Sequence, residues 1–195
     1  MASAGSNRPS AATKARLFVA LDLPAEAREA LVAWRGRALG GREELRLLDP
    51  TALHVTLVFL GYLPEDEIER IAELTAAAVP EAEPPELTAV GVKPVPPRGP
   101  RLFALDLDDE ADRCGALQAA VSDALVGAGL YEPEKRAFWP HVTLARVRKG
   151  ARVRAFDTPS PPSEPWRGAA VTLYRSVLRR DGARYEPLHR VPLRR

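Results

Sequence analysis

The 195-residue chain has a single cysteine, Cys114, so no intrachain disulfide can form, and no set of Cys and His residues has zinc-site spacing. A reducing, cytoplasmic setting is expected. No apolar run reaches the length of about 18 residues that a membrane span requires. The opening MASAGSNRPSAATKA has no apolar core of the kind a secretory signal carries, and residues 1–15 are expected to form a loose tail. Charge of one sign is not in excess either. The formal net charge is +2 and the isoelectric point is near 8.9, which excludes a polybasic, histone-like protein but suits a phosphate-bearing ligand. Hydrophobic residues at 46% and charged residues at 28% are ordinary for a soluble globular chain, long enough for one medium domain or two small lobes.

Against that plain background two short strings stand out. Residues 53–61 read LHVTLVFLG, and residues 140–147 read PHVTLARV. Period-two alternation puts His54, Thr56 and Val58 on one face of a strand and Leu53, Val55, Leu57 and Phe59 on the other, which is apolar throughout. A lone strand histidine is most often structural. Here the pattern occurs twice, each time inside a larger repeat. RLFVALDL at 16–23 is followed by the helical stretch PAEAREALVAWRGRAL, and RLFALDL at 101–107 is followed by DDEADRCGALQAAVSDAL. Ala27, Leu31 and Trp34 share one helix face; Leu117, Val121 and Leu125 share the other. Arg16 lies 38 residues before His54, and Arg101 lies 40 before His141.

The remaining segments fit around the repeat. The spacing predicts a helix over 64–79 with Ile68, Ile71, Leu74 and Ala78 inward, a strand over 86–93, and a proline-rich loop at PVPPRGP. It predicts a second loop at 157–165, a strand over 170–178 and a short final strand over 184–193. The expected fold class is α+β. Two antiparallel sheets of a bilobal, duplicated fold would form a central groove with helices outside. Residues 16–195 would make one domain, with pseudo-repeats at about 16–80 and 101–150 and strands from 86–93 and 170–193 completing the sheets.

Two histidines suit a reaction in which one group gains a proton while another loses one, because imidazole titrates near neutral pH. Opening a cyclic phosphodiester has that demand: the nucleophile is deprotonated and the leaving oxygen is protonated. Thr56 and Thr143, two residues after each His, point into the same cleft and offer hydroxyl donors to non-bridging phosphoryl oxygens. No metal-ligand set is evident and no cofactor is expected.

RLFVALDLP, LHVTLVFLG, PHVTLAR and TLYRSVL, in that order, resemble the two-histidine phosphoesterase superfamily. Within it they are most similar to the bacterial and archaeal RNA 2′,3′-cyclic phosphodiesterases, long called 2′-5′ RNA ligases. The likeness runs from residue 16 to the C-terminus. It implies hydrolysis of an RNA 2′,3′-cyclic phosphate end to a 2′-phosphomonoester without a metal. By motif, His54 would be the proton donor to the leaving 3′ oxygen, His141 the proton acceptor from water, and Thr56 and Thr143 the phosphate binders. The partners would be RNA ends or nucleotides with a cyclic phosphate, and the chain is expected to act as a monomer.

Weaker candidates surround these four. Arg146 lies five positions after His141, so only a bulge or twist would bring it to phosphate. Arg16 and Arg101 begin equivalent strands and could touch phosphate from the rim. Phe18 and Phe103 could stack on a base, although core packing suits them better. Tyr174 and Ser176 alternate with Leu173 and Val177 and are expected to line the groove. His189 has no threonine partner and reads as a surface or structural residue. Rival activities are 2′-5′ ligation, opening of another cyclic phosphate such as that of ADP-ribose, and binding of RNA ends without turnover.

Overall fold

The computed structural model describes residues 13–79, 84–180 and 182–193. The expected tail at 1–15 falls outside these up to residue 12. Lys14 and Ala15 already belong to the first strand, and Ala15 is buried. In chain order the elements are β1 Lys14–Asp22, α1 Ala25–Leu39, β2 Leu45–Leu47, β3 His54–Pro64, α2 Ile68–Ala78 and β4 Glu86–Val95. They continue with β5 Leu102–Asp109, α3 Arg113–Gly127, β6 His141–Val147, β7 Trp166–Arg167, β8 Ala170–Arg179 and β9 Gly182–Pro192.

Alternating apolar residues drive the strands and 3.6-period stripes drive the helices, as the sequence suggests. Leu31 and Trp34 of α1 and Leu117, Val121 and Leu125 of α3 enter one shared core with Val19, Val55, Leu105 and Val142 from the strands. The Asp109 carboxylate accepts from the Cys114 and Gly115 amides at 2.9 Å each, which satisfies two otherwise orphaned donors at the start of α3. The second helix starts later than expected, because β3 runs on to Pro64 and a 3₁₀ turn covers Glu65–Glu67. Its most buried residues are Ile71, Ala72 and Thr75, while Ile68, Leu74 and Ala78 are half-buried at the edge of the core. No helix among the described residues is long and apolar enough to cross a membrane.

All strand pairs are antiparallel, in the order β7-β4-β5-β6-β3-β1-β8-β9, with β2 paired to β6. The two expected sheets thus lie along one hydrogen-bonded path, joined at its middle by the single pair Val55–Val142. From that seam outward the order is mirrored: β6, β5 and β4 on one side, β3, β1 and β8 on the other. Short β2 and β7 were not legible as strands. The last strand is long rather than short, and as an edge strand it tolerates Pro187 and Pro192.

One departure from regular pleating matters for function. In the β1–β3 ladder Val19 faces Val58 but Ala20 faces Thr56, so Leu57 is the extra residue of a bulge. In the β5–β6 ladder Phe103 faces Ala145 but Ala104 faces Thr143, so Leu144 is extra in the same way. Each bulge places two buried residues in succession, Leu57–Val58 and Leu144–Ala145, and reverses the facing of the residues that follow, in β3 only as far as Leu60, where the register shifts again. Val58 is therefore core at 1% exposure. Phe59, expected in the core, is 38% exposed beneath the Arg16 guanidinium at 4.5 Å. The Leu144 carbonyl accepts from the Leu48 amide at 3.0 Å and from Arg35 Nη1 at 3.4 Å.

The bulge sets an expected outcome for stability. Val58→Ala lowers the free energy of unfolding in urea by about 2 kcal/mol, the scale of a fully buried valine. Phe59→Ala lowers it by less than about 1 kcal/mol, the scale of a surface change. The opposite ranking would mean that the strand runs without a bulge.

Candidate active site

The antiparallel Val55–Val142 pair interchanges its neighbours, so His54 lies on the Thr143 side and Thr56 on the His141 side. All four side chains leave the sheet on the face opposite the buried Val55, Leu57, Val142 and Leu144. By strand geometry they occupy a patch of about 5 by 7 Å. They line one cavity of about 60 Å³, together with Leu48, Ala52, Arg146 and Tyr185.

Each imidazole is gripped from below and behind. His54 stacks on Phe18 with ring centroids 4.9 Å apart, and Tyr185 meets it edge-on at 5.3 Å. Its Nε2 lies 3.2 Å from the Thr56 hydroxyl, and the Ala52 carbonyl accepts from the ring. His141 stacks on Trp139 at 4.3 Å and donates from Nδ1 to the Trp139 carbonyl at 2.8 Å. That bond fixes the tautomer and leaves Nε2 as the free acceptor. Both histidines thus use the carbonyl two residues earlier as their anchor.

Behind each histidine a carboxylate occupies the paired position: Asp22 opposite His54 and Asp106 opposite His141. Buried Asp22 accepts from the Thr172 and Tyr174 hydroxyls at 2.8 Å each, with Arg190 Nε at 3.6 Å. Asp106 accepts from Trp139 Nε1 and pairs with Lys93, both at 2.6 Å. The sequence carried a signal for both, since each is the aspartate of a repeated ALDL string. Trp139 and Tyr185 had none, because their roles depend on loop and edge-strand placement.

The weaker candidates divide. Arg146 joins the cavity because the Leu144 bulge turns it to the His141 face, against the expectation from regular alternation. Arg16 lines an adjoining cavity of about 550 Å³ and donates to Ser176 Oγ at 2.6 Å. Arg101 lines a different one, on the far side of Arg146. Phe18 and Phe103 are 3% and 1% exposed: the first supports His54 and the second packs on Phe156, so neither ring face is open to a base. Ser176 is buried under Arg16, and Tyr174 stacks on Phe18 with its hydroxyl spent on Asp22. The groove position expected for these two is held by Tyr185, because β9 pairs along the edge of β8 with Tyr185 opposite Ser176. His189 is exposed and stands apart, as expected. Among the described residues no three His, Cys, Asp or Glu side chains cluster as a metal site.

Loss of water around His54, and secondarily the nearby His141, lowers the His54 pKa to about 4 from the usual 6.5. Burial and the Asp22 carboxylate raise that of the Tyr174 hydroxyl, so it stays a donor. Between pH 6.5 and 4 the unfolded chain binds a proton that the folded chain refuses. Stability is therefore complete above about pH 6.5 and falls as the pH drops towards 4, by up to about 3 kcal/mol from this one group. Urea unfolding at pH 7 and pH 4.5 should show a smaller acid loss in His54→Gln than in the parent. Equal losses would mean that the ring protonates in the pocket as readily as in water.

The model of the 2′-5′ RNA ligase superfamily matches residues 23–180. An Escherichia coli protein named RNA 2′,3′-cyclic phosphodiesterase is 32% identical over 192 residues, covering 90% of this chain and 94% of its own length. A Geobacillus stearothermophilus protein of the same name is 26% identical over 184 residues. That match takes in 92% of this chain but spans only 58% of the relative. Escherichia coli LigT solved with NADP+ superposes with a TM-score of 0.75 at 28% identity, covering 93% of this chain and 99% of LigT. LigT solved with 3′-AMP gives 0.74 at 26% identity, covering 94% and 100%. Sequence and fold agree over nearly the whole chain, and the protein belongs to the 2′-5′ RNA ligase superfamily.

Proposed function

We propose that this chain hydrolyses 2′,3′-cyclic phosphate ends of RNA to 2′-phosphomonoesters, with His54 and His141 as the acid–base pair. The observation that carries this is the convergence of His54, Thr56, His141 and Thr143 on one cavity of about 60 Å³. That is roughly the share of two liquid water molecules. The names of the relatives and the 3′-AMP held by LigT support the substrate class. As part of the same proposal, residues 16–195 act as one bilobal domain, a cytoplasmic monomer with duplicated halves at about 16–80 and 101–150. The mirrored strand order and the matching bulges support the duplication.

In the reaction, His141 Nε2 takes a proton from water as the water oxygen attacks phosphorus. The bond from phosphorus to the 3′ oxygen breaks, and His54 delivers its proton to that oxygen. The Thr56 and Thr143 hydroxyls and the Arg146 guanidinium hold the charge on the non-bridging oxygens. With its lowered pKa His54 is neutral at pH 7, and a substrate phosphate's negative charge beside it favours the imidazolium the donor role needs. The same lowered pKa favours a second assignment, in which His54 is the base and His141 the acid.

A short RNA with a 2′,3′-cyclic end is expected to yield a 2′-phosphate, with EDTA having no effect. His54→Ala and His141→Ala each lower the rate by about 10²–10⁴-fold. A 3′-phosphate product, or abolition by EDTA, contradicts the proposal. A cyclic substrate whose 3′ bridging oxygen is replaced by sulfur separates the two assignments, because a thiolate leaves without a proton. It should restore most of the rate of His54→Ala and little of that of His141→Ala; the reverse result exchanges the roles.

A further inference from the structure

Beyond Arg146 lies a cavity of about 1110 Å³, walled by the β4–β5 loop and by the segment that follows β6. Arg98, Arg101, Arg148, Lys149, Arg152 and Arg154 line it, and Arg146 stands at its junction with the histidine pocket. No Asp or Glu is among the lining residues. The chain as a whole has 28 basic and 26 acidic residues, so this wall is a segregation of charge and not a reflection of composition. Elsewhere cations sit in ion pairs, as Arg70 does with Glu67, Arg167 with Glu86 and Arg175 with Glu65. Among the described residues, only Arg148 of these seven has a hydrogen-bond partner for its side chain. That partner is the Glu43 carbonyl, which leaves the charge unbalanced.

Seven cations without a carboxylate are too many for one phosphate and suit a chain of them. We infer that this wall binds the phosphodiester backbone of the RNA strand preceding the cyclic end, so that the chain prefers a polynucleotide over a mononucleotide. The inference rests on the proposed action at RNA ends. Arg146 borders the histidine pocket and both larger cavities, so a strand whose last phosphate lies between His54 and His141 can lay its earlier phosphates along either, and this wall is the one that carries seven cations and no carboxylate. The other exit from the histidine pocket, past Arg16, Arg46, Arg179 and Arg184, is less suited. Asp49 lines it, Arg16 is spent on Ser176, and Arg46 and Arg184 already interact within the chain.

The test uses the full chain, a variant carrying Arg98→Glu, Arg152→Glu and Arg154→Glu, and Arg179→Glu as the variant of the other exit. Fluorescence anisotropy of a 5′-labelled ten-residue RNA with a 2′-phosphate end, read across NaCl concentrations, reports binding apart from turnover. The triple variant is expected to bind at least about tenfold more weakly. Its log Kd against log salt slope should be shallower by about 2, from three contacts at about 0.7 each. The ratio of kcat/KM for a cyclic-ended ten-residue RNA to that for a nucleoside 2′,3′-cyclic phosphate should fall by a similar factor. Unchanged affinity and slope, an equal loss on both substrates, or a larger effect from Arg179→Glu overturns the inference. If the parent turns over neither substrate while the triple variant still loses RNA affinity, hydrolysis at RNA ends fails and the backbone site stands.

Discussion

At Val55 and Val142 two strands from distant parts of the chain run antiparallel and share one residue pair. Antiparallel pairing exchanges what lies before and after the shared position, and side chains alternate faces. A His-x-Thr sequence on each strand therefore projects two imidazoles and two hydroxyls to one side as a crossed set, while Val55 and Val142 anchor the other side in the core. The arrangement needs no long loop to bring its groups together. Its precision comes from backbone hydrogen bonds and a dry apolar layer, which are among the stiffer parts of a fold.

Bulges then adjust what a regular sheet would supply. Leu144 turns Arg146 towards the pocket, and its carbonyl is held by Leu48 and by buried Arg35. Leu57 turns Phe59 outward under Arg16. The equivalent positions after the two bulges thus carry an arginine on one side and a phenylalanine on the other, so the halves share this bulge but differ in charge beyond it. The aromatic shelves differ too: Phe18 is sealed beneath His54, whereas Trp139 also reaches Asp106. Two histidines of like sequence context stand in unlike surroundings, which supports the proposed division into an acid and a base.

Much of this was legible in the sequence because strand period and local repetition are short-range signals. The His-x-Thr strings, the ALDL strands before them and the helix faces at Leu31 and Leu117 all follow from spacing alone. The bulges were not, since one extra residue in a ladder depends on the partner strand and has no marker in HVTLVFLG. That omission puts Phe59 in the core and leaves Arg146 among the weaker candidates. Ser176 and Tyr174 are expected in the groove because alternation identifies a face but not what covers it. The covering residue, Tyr185, belongs to a proline-containing strand that pairs only at the edge. Trp139 was missed because it acts from a loop, through a ring face, a carbonyl and an indole N–H together.

The prolines of β9 have a consequence of their own. The path of eight strands has two open ends, and an unpaired row of amides there invites a second chain to dock by strand addition. One margin is the two-residue β7. The other is β9, where Pro187 and Pro192 contribute no amide donor. Both rims are therefore poor templates for the addition of a further strand.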